Sequence, residues 1–147
     1  MVKMVCQEQQ VTEEEYREFE RLFPHSLPDA FRTYFMNNNG GFCSEEDQED
    51  DKFGFPIGGF ESIKYGRMPI EKQVEDYGDL TFEEFGTWEK FEFVPFAHDR
   101  GGHSIFLSLR GSDDGCVYIF SYGDGNIAKI APSFEAFLSN AFKGDFT

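Results

Sequence analysis

Apolar positions recur along this chain in two rhythms, one helical toward its ends and one alternating in between. In "TEEEYREFERLF" (12–23), Tyr16, Phe19 and Phe23 fall at helical spacing and give one apolar face. Thr12 and Glu15 stand as the two halves of a capping box, and Pro24 ends the helix. "HSLPDAFRTYFMNNNGG" (25–41) starts a second helix, with Ser26 as its N-cap and Pro28 in its first turn. Leu27, Phe31, Tyr34 and Phe35 form its stripe. Asn38 or Asn39 with Gly40 closes it in the left-handed conformation, and Gly41 permits the sharp turn that follows.

The middle of the chain is broken into shorter pieces. "KFGFPIGGFESI" (52–63) reads as a short strand and turn, and "MPIEKQVEDY" (68–77) as a weakly amphipathic helix. In "LTFEEFGTWEKFEFVPFA" (80–97), Phe82 and Phe85 suit a helix, whereas Phe91, Phe93 and Pro95 alternate. The expectation is a helical turn followed by a strand. The density of Phe there points to covered faces, although an exposed apolar interface stays open as an alternative.

Toward the C-terminus the alternation becomes plain. "HSIFLSL" (103–109) places Ile105, Leu107 and Leu109 on one side of a strand, and "GSDDG" (111–115) is a hairpin loop. "CVYIFSY" (116–122) sets Val117 and Ile119 against Tyr118, Phe120 and Tyr122. "GDGN" (123–126) turns the chain into a third strand, "IAKIA" (127–131). A closing helix follows over 133–144: Ser133 caps it, Phe134, Phe137, Leu138 and Phe142 face inward, and Gly144 ends it. Helices, an antiparallel meander and a closing helix make an α+β fold, and 147 residues fit a single domain over 1–147.

Charge narrows the range of partners. The 28 acidic residues against 13 basic ones give a net charge of −15, which repels nucleic acid and anionic membrane alike. The surface is therefore either only well solvated or suited to a basic protein. The acidity peaks in "SEEDQEDD" (44–51), six carboxylates in eight positions. Such a block buries nothing and reads as an exposed loop. It lacks the alternating ligands and turn glycine of a calcium-binding EF loop. Cys6, Cys43 and Cys116 are far apart and odd in number, which argues against a disulfide framework or structural zinc, and Cys116 reads as a small core residue. No apolar signal segment or membrane span is evident, so a cytoplasmic protein without cofactors is expected.

One stretch invites a catalytic reading. "HDRGGH" places His98, Asp99 and His103 within six positions. A metal site needs three or four ligands converging at about 2 Å, but extended neighbours such as His98 and Asp99 point to opposite sides. His25 is the only other histidine, and no nucleophile elbow or zinc motif occurs. Asp followed by Arg-Gly-Gly is instead turn chemistry, a corner between "FVPFA" and "HSIFLSL". A small hydrolase using His98, Asp99 and His103 is the alternative from another class.

Several of these pieces together resemble a known family. "LPDAFRTYFMNNNGG" (27–41) is similar to the helix-and-turn signature of the SUKH superfamily, which includes the Smi/Knr cell-wall regulators. The matching residues are Leu27, Pro28, Phe31, Tyr34, Phe35, Asn39, Gly40 and Gly41. "FAHDRGGHSIFLSL" resembles the second motif, with Asp99, Gly101, Gly102, Ile105 and Leu107 in place. "GCVYIF" and "APSFEAFLSNAF" resemble the strand and last helix after it. The acidic run and residues 80–96 match no family pattern. The resemblance implies an α+β fold and no catalytic residues. It also implies that bacterial members often serve as immunity proteins, binding and neutralising a cognate secreted toxin, frequently a nuclease. A regulatory scaffold of the Smi/Knr kind is the alternative within binding proteins. On the immunity reading, Glu45, Glu46, Asp47, Glu49, Asp50 and Asp51, with Glu83, Glu84 and Glu89, are the candidate contacts for a basic toxin domain.

Overall fold

The computed structural model describes residues 4–43, 57–121, 123 and 125–141. Helix α1 (Glu13–Glu20) starts on the capping box: Thr12 Oγ1 accepts from the Glu15 N–H at 3.1 Å, and Glu15 Oε1 accepts from the Thr12 N–H at 2.9 Å. Helix α2 (Asp29–Asn37) corrects two expectations. Pro28, not Ser26, occupies the N-cap, and no side chain caps it; a proline has no N–H needing a partner there. At the other end, Asn38 is extended rather than left-handed, while Gly40 has the positive φ expected of it, followed by Gly41.

The strands are β1 (Met4–Val5), β2 (Gly41–Cys43), β3 (Ile57–Phe60), β4 (Leu80–Phe82), β5 (Gly86–Trp88), β6 (Phe93–Asp99), β7 (Ser104–Ser108), β8 (Val117–Phe120) and β9 (Ile127–Ala131). Helix α3 (Ile70–Tyr77) lies between β3 and β4, and α4 (Phe134–Ala141) closes the described chain. Seven strands form one sheet in the order β1-β2-β3-β6-β7-β8-β9, antiparallel throughout, while β4 and β5 form a separate hairpin. The architecture is α+β with a large antiparallel sheet. Ser133 caps the last helix, its Oγ accepting from the Ala136 N–H at 3.0 Å. Phe142, Gly144, Tyr122 and the run 44–51 lie outside the described residues.

The β4–β5 hairpin replaces the helical turn expected around Phe82 and Phe85. Leu80 and Phe82 alternate inward with Thr81 exposed, and burial under the sheet wins over the helical spacing of Phe82 and Phe85. Both faces of the sheet are consequently covered over β6, β7 and β8. On one face Phe31, Phe134 and Phe137 from α2 and α4 meet Phe96, with ring centroids 5.0–6.2 Å apart. On the other, Tyr77 of α3 and Phe82 and Trp88 of the hairpin meet Phe93, Phe106 and Phe120. Phe82, Trp88, Phe93 and Phe96 are buried, so the aromatic segment is mainly core. Cys116 is half-buried against that core.

Candidate functional site

The six residues of "HDRGGH" form a corner. Asp99 ends β6, and its Oδ1 accepts from the Gly101 N–H at 3.0 Å and the His103 N–H at 2.8 Å. Its Oδ2 lies 2.8 Å from His103 Nδ1, and the Asp99 N–H donates to the His103 carbonyl at 3.0 Å. The carboxylate is occupied by its own turn. His98 belongs to a different contact: its Nδ1 lies 2.7 Å from Glu61 Oε2, and the other oxygen of Glu61 accepts from Gln73 at 3.0 Å. His25 sits apart from both, 3.0 Å from Asp114 Oδ1, with a hydrogen bond to the Ser26 carbonyl that raises its pKa. Each histidine therefore has its own carboxylate. No group of three or more His, Cys, Asp or Glu among the described residues could hold a metal ion.

The Asn-Gly-Gly stretch serves as a clasp. Asn39 is 2% exposed, and every side-chain polar atom it has is used. Its Nδ2 donates to the carbonyls of Gln9 at 2.8 Å and Ile63 at 3.0 Å, while its Oδ1 accepts from the Ile63 N–H at 2.7 Å. One side chain thus joins the segment before α1, the end of α2 and the loop after β3. Gly41 has φ +108°, and a Cβ there would stand 2.9 Å from the Val5 carbonyl, so no side chain fits where β2 passes β1. Leu27, Phe31, Tyr34 and Phe35 are buried behind the clasp.

The acidic candidates are distributed unevenly. Glu83 and Glu84 are exposed on the β4–β5 turn, beside a cleft of about 290 Å³ shared with Phe82, Gly125, Asn126 and Ile127. Glu89, also exposed, follows β5 at the far end of the hairpin, because Leu80 pairs with Trp88 and Phe82 with Gly86. The hairpin therefore separates Glu89 from Glu83 and Glu84. Glu45, Glu46, Asp47, Glu49, Asp50 and Asp51 lie outside the described residues. The strands on either side of them, β2 and β3, are described: they run antiparallel, and Ile57 pairs with Asp99. The chain thus leaves β2 and enters β3 at the end of the sheet that holds the 98–103 turn. The cross-strand line His98–Ser104–Phe120–Ile127 shows that the turn beside Glu83 and Glu84 is at that end too.

Two arrangements had no sequence signal strong enough to find them. One is a polar network on Asp113 that ties the hairpin to the sheet. The other is an exposed apolar cluster in which strand register brings Val5 beside Phe42 and a shared cleft brings Met68 to Phe42. No helix among the described residues is long and apolar enough to cross a membrane.

No curated protein matches the sequence. A family model described as the SMI1 / KNR4 family (SUKH-1) matches residues 10–140, spanning both the Asn39 clasp and the Asp99 corner. The chain belongs to the SMI1/KNR4 family (SUKH-1) of the SUKH superfamily.

Proposed function

We propose that this chain is a non-catalytic immunity protein that binds a cognate secreted toxin domain of basic charge, often a nuclease, and neutralises it by covering its active cleft or the surface beside it. The observation that carries the reading is the division of labour in the fold. The family's motif residues are consumed by the clasp, the core and the corner, while carboxylates such as Glu83 and Glu84 face outward from one end of the sheet. The net charge of −15 suits such a partner, since complementary charge steers association and suppresses wrong pairings. The reading puts the chain in the cytoplasm, where the toxin would otherwise act.

The test is growth of a bacterial host expressing each of a panel of nuclease-toxin domains, with and without this chain. Rescue from at least one toxin is expected. Changing Glu83, Glu84 and the six carboxylates of 44–51 to their amides should slow association by about tenfold at low salt, with less effect at high salt. A His103→Ala variant should rescue as well as wild type, because this histidine serves the corner and belongs to no converged site. Its failure to rescue while folded would revive the hydrolase alternative. Absence of rescue across the panel would favour the Smi/Knr-like scaffold.

A further inference from the structure

The described residues expose four large apolar side chains, and three of them stand together. Val5 of β1 and Phe42 of β2 are direct cross-strand neighbours, 43% and 52% exposed, and so share one face of the sheet. Phe42 is paired in turn with Gly59 of β3, and Gly59 with His98 of β6. Gly59 leaves the row flat at its centre: a Cβ there would stand 2.6 Å from the Gly41 carbonyl and 3.1 Å from both Phe42 and His98. With no side chain between them, the Phe42 and His98 rings meet edge-on at 5.8 Å. Met68, 40% exposed, faces Phe42 across a cleft of about 200 Å³ that Cys6, Glu8, Glu61 and Arg67 also line.

This row, with Val5, Phe42 and Met68 exposed, is the part of its face that the described residues leave open. Helix α3 and the β4–β5 hairpin shield the aromatic residues of β6, β7 and β8, and their ring contacts reach Phe93, Phe106 and Phe120 but not Phe42. A clustered apolar surface with an aromatic centre and a polar rim has the anatomy of a protein-binding hot spot. The rim selects the occupant. Glu8 and Glu61 bring carboxylates to the cleft, against the single guanidinium of Arg67. A second copy of a chain carrying −15 would meet like charge, whereas a basic protein would be drawn in.

We propose that the Val5–Phe42–Met68 face is the docking centre for a basic partner protein, which sets a large apolar side chain against Phe42 and its cationic groups toward Glu8 and Glu61. The inference rests on the binding-protein reading above and names its contact surface. Leu22, the fourth exposed apolar side chain at 44%, lies just after α1 and serves as the control.

The full chain is used to select from a displayed library of random dodecapeptides, and the enriched peptides are then titrated against wild type, Phe42→Asp and Leu22→Asp by fluorescence anisotropy. The expected peptides carry net positive charge around one or two large apolar residues. Phe42→Asp should weaken them by about tenfold or more, with Leu22→Asp close to wild type. Unchanged far-ultraviolet dichroism keeps misfolding out of the comparison. No enrichment, peptides without basic residues, or equal binding to Phe42→Asp would overturn the proposal. So would a wild-type dimer in sedimentation that Phe42→Asp dissolves, since the face would then belong to a second copy. In the growth assay, rescue by Phe42→Asp equal to wild type overturns this surface while leaving the immunity reading intact. Failure of wild type to rescue any toxin strikes the immunity reading alone, and the peptides still decide the surface.

Discussion

Asn39→Ala is expected to lower the unfolding free energy by about 2–4 kcal/mol, because it removes three hydrogen bonds at once and leaves the buried Ile63 N–H without a partner. The Gln9 carbonyl is only part-buried and the Ile63 carbonyl keeps the Tyr65 N–H, so the Ile63 N–H carries most of the cost. Gln9 and Ile63 belong to segments distant in sequence, so no local rearrangement restores the clasp. Against a typical total of about 5–15 kcal/mol, the loss brings the protein near its folding threshold. Asn39→Asp separates hydrogen bonding from shape. It keeps the acceptor for Ile63 but turns a charged oxygen toward two carbonyls, so its carboxyl would be held above the ordinary range. The variant should then be less stable at neutral pH and recover part of the loss as pH falls and the acid protonates. Urea denaturation across pH measures both. A loss below about 1 kcal/mol for Asn39→Ala would show that the clasp is dispensable.

Asp113→Ala is expected to cost about 2–4 kcal/mol and to change the signal of the only tryptophan, Trp88. The Asp113 carboxylate accepts from Ser108 Oγ at 2.6 Å, from Arg110 at 2.9 and 2.8 Å, and from the Tyr118 hydroxyl at 2.5 Å. Ser108 Oγ in turn accepts from Trp88 Nε1 at 2.8 Å, and the Arg110 guanidinium lies 3.5 Å from the Trp88 ring centroid while donating to the Thr87 carbonyl. Removing one carboxylate therefore loosens the Arg110 contact that holds the hairpin down. Burial alone would raise the Asp113 pKa, but hydrogen bonds from Arg110, Ser108 and Tyr118, with the Arg110 charge, hold it below the ordinary carboxylate value. A depressed folded-state pKa contributes stability above the unfolded value and loses it as pH falls through the folded one. The gap between wild type and Asp113→Ala should accordingly narrow below about pH 4. Denaturation followed by Trp88 fluorescence at neutral and acid pH tests this; a gap that does not depend on pH would refute the charge-assisted account.

Much of the architecture could be read from local chemistry alone. The capping box at Thr12 and Glu15, the amphipathic 68–77 helix and the Asp99 corner are each decided within a few residues, and each formed as its residues dictate. The errors arose where distant contacts outweigh local spacing. Phe82 and Phe85 are three apart, which suits a helix, yet Phe82 is committed to Phe120 and Phe85 to Tyr118. One signal was available: Gly86, at φ +78°, directly follows the three-residue loop 83–85, where a left-handed residue lets the chain turn back. Ser26 has the type a cap favours, but the helix begins two residues later, at Pro28, whose fixed φ suits the entry and whose side chain caps nothing. The candidate surface was only half legible. Exposure of Glu83 and Glu84 follows from charge, whereas the Val5–Phe42–His98 row exists only through the registers of β1, β2, β3 and β6.

Those registers also order the assembly of the sheet. Strands β6 to β9 are consecutive, joined by short turns, and can zip together as local hairpins. The opposite side must first bring Met4 to Cys43 and Ile57 to Asp99, and closure entropy grows with the length of chain enclosed. Low-separation pairings form early, and the two-residue strand β1, held on one side only, is the cheapest part to release. The surface bearing Phe42 thus sits on the late-forming margin of the sheet. A ligand seated there would bind to the closed margin alone and, by mass action, hold shut the part of the molecule that opens most readily.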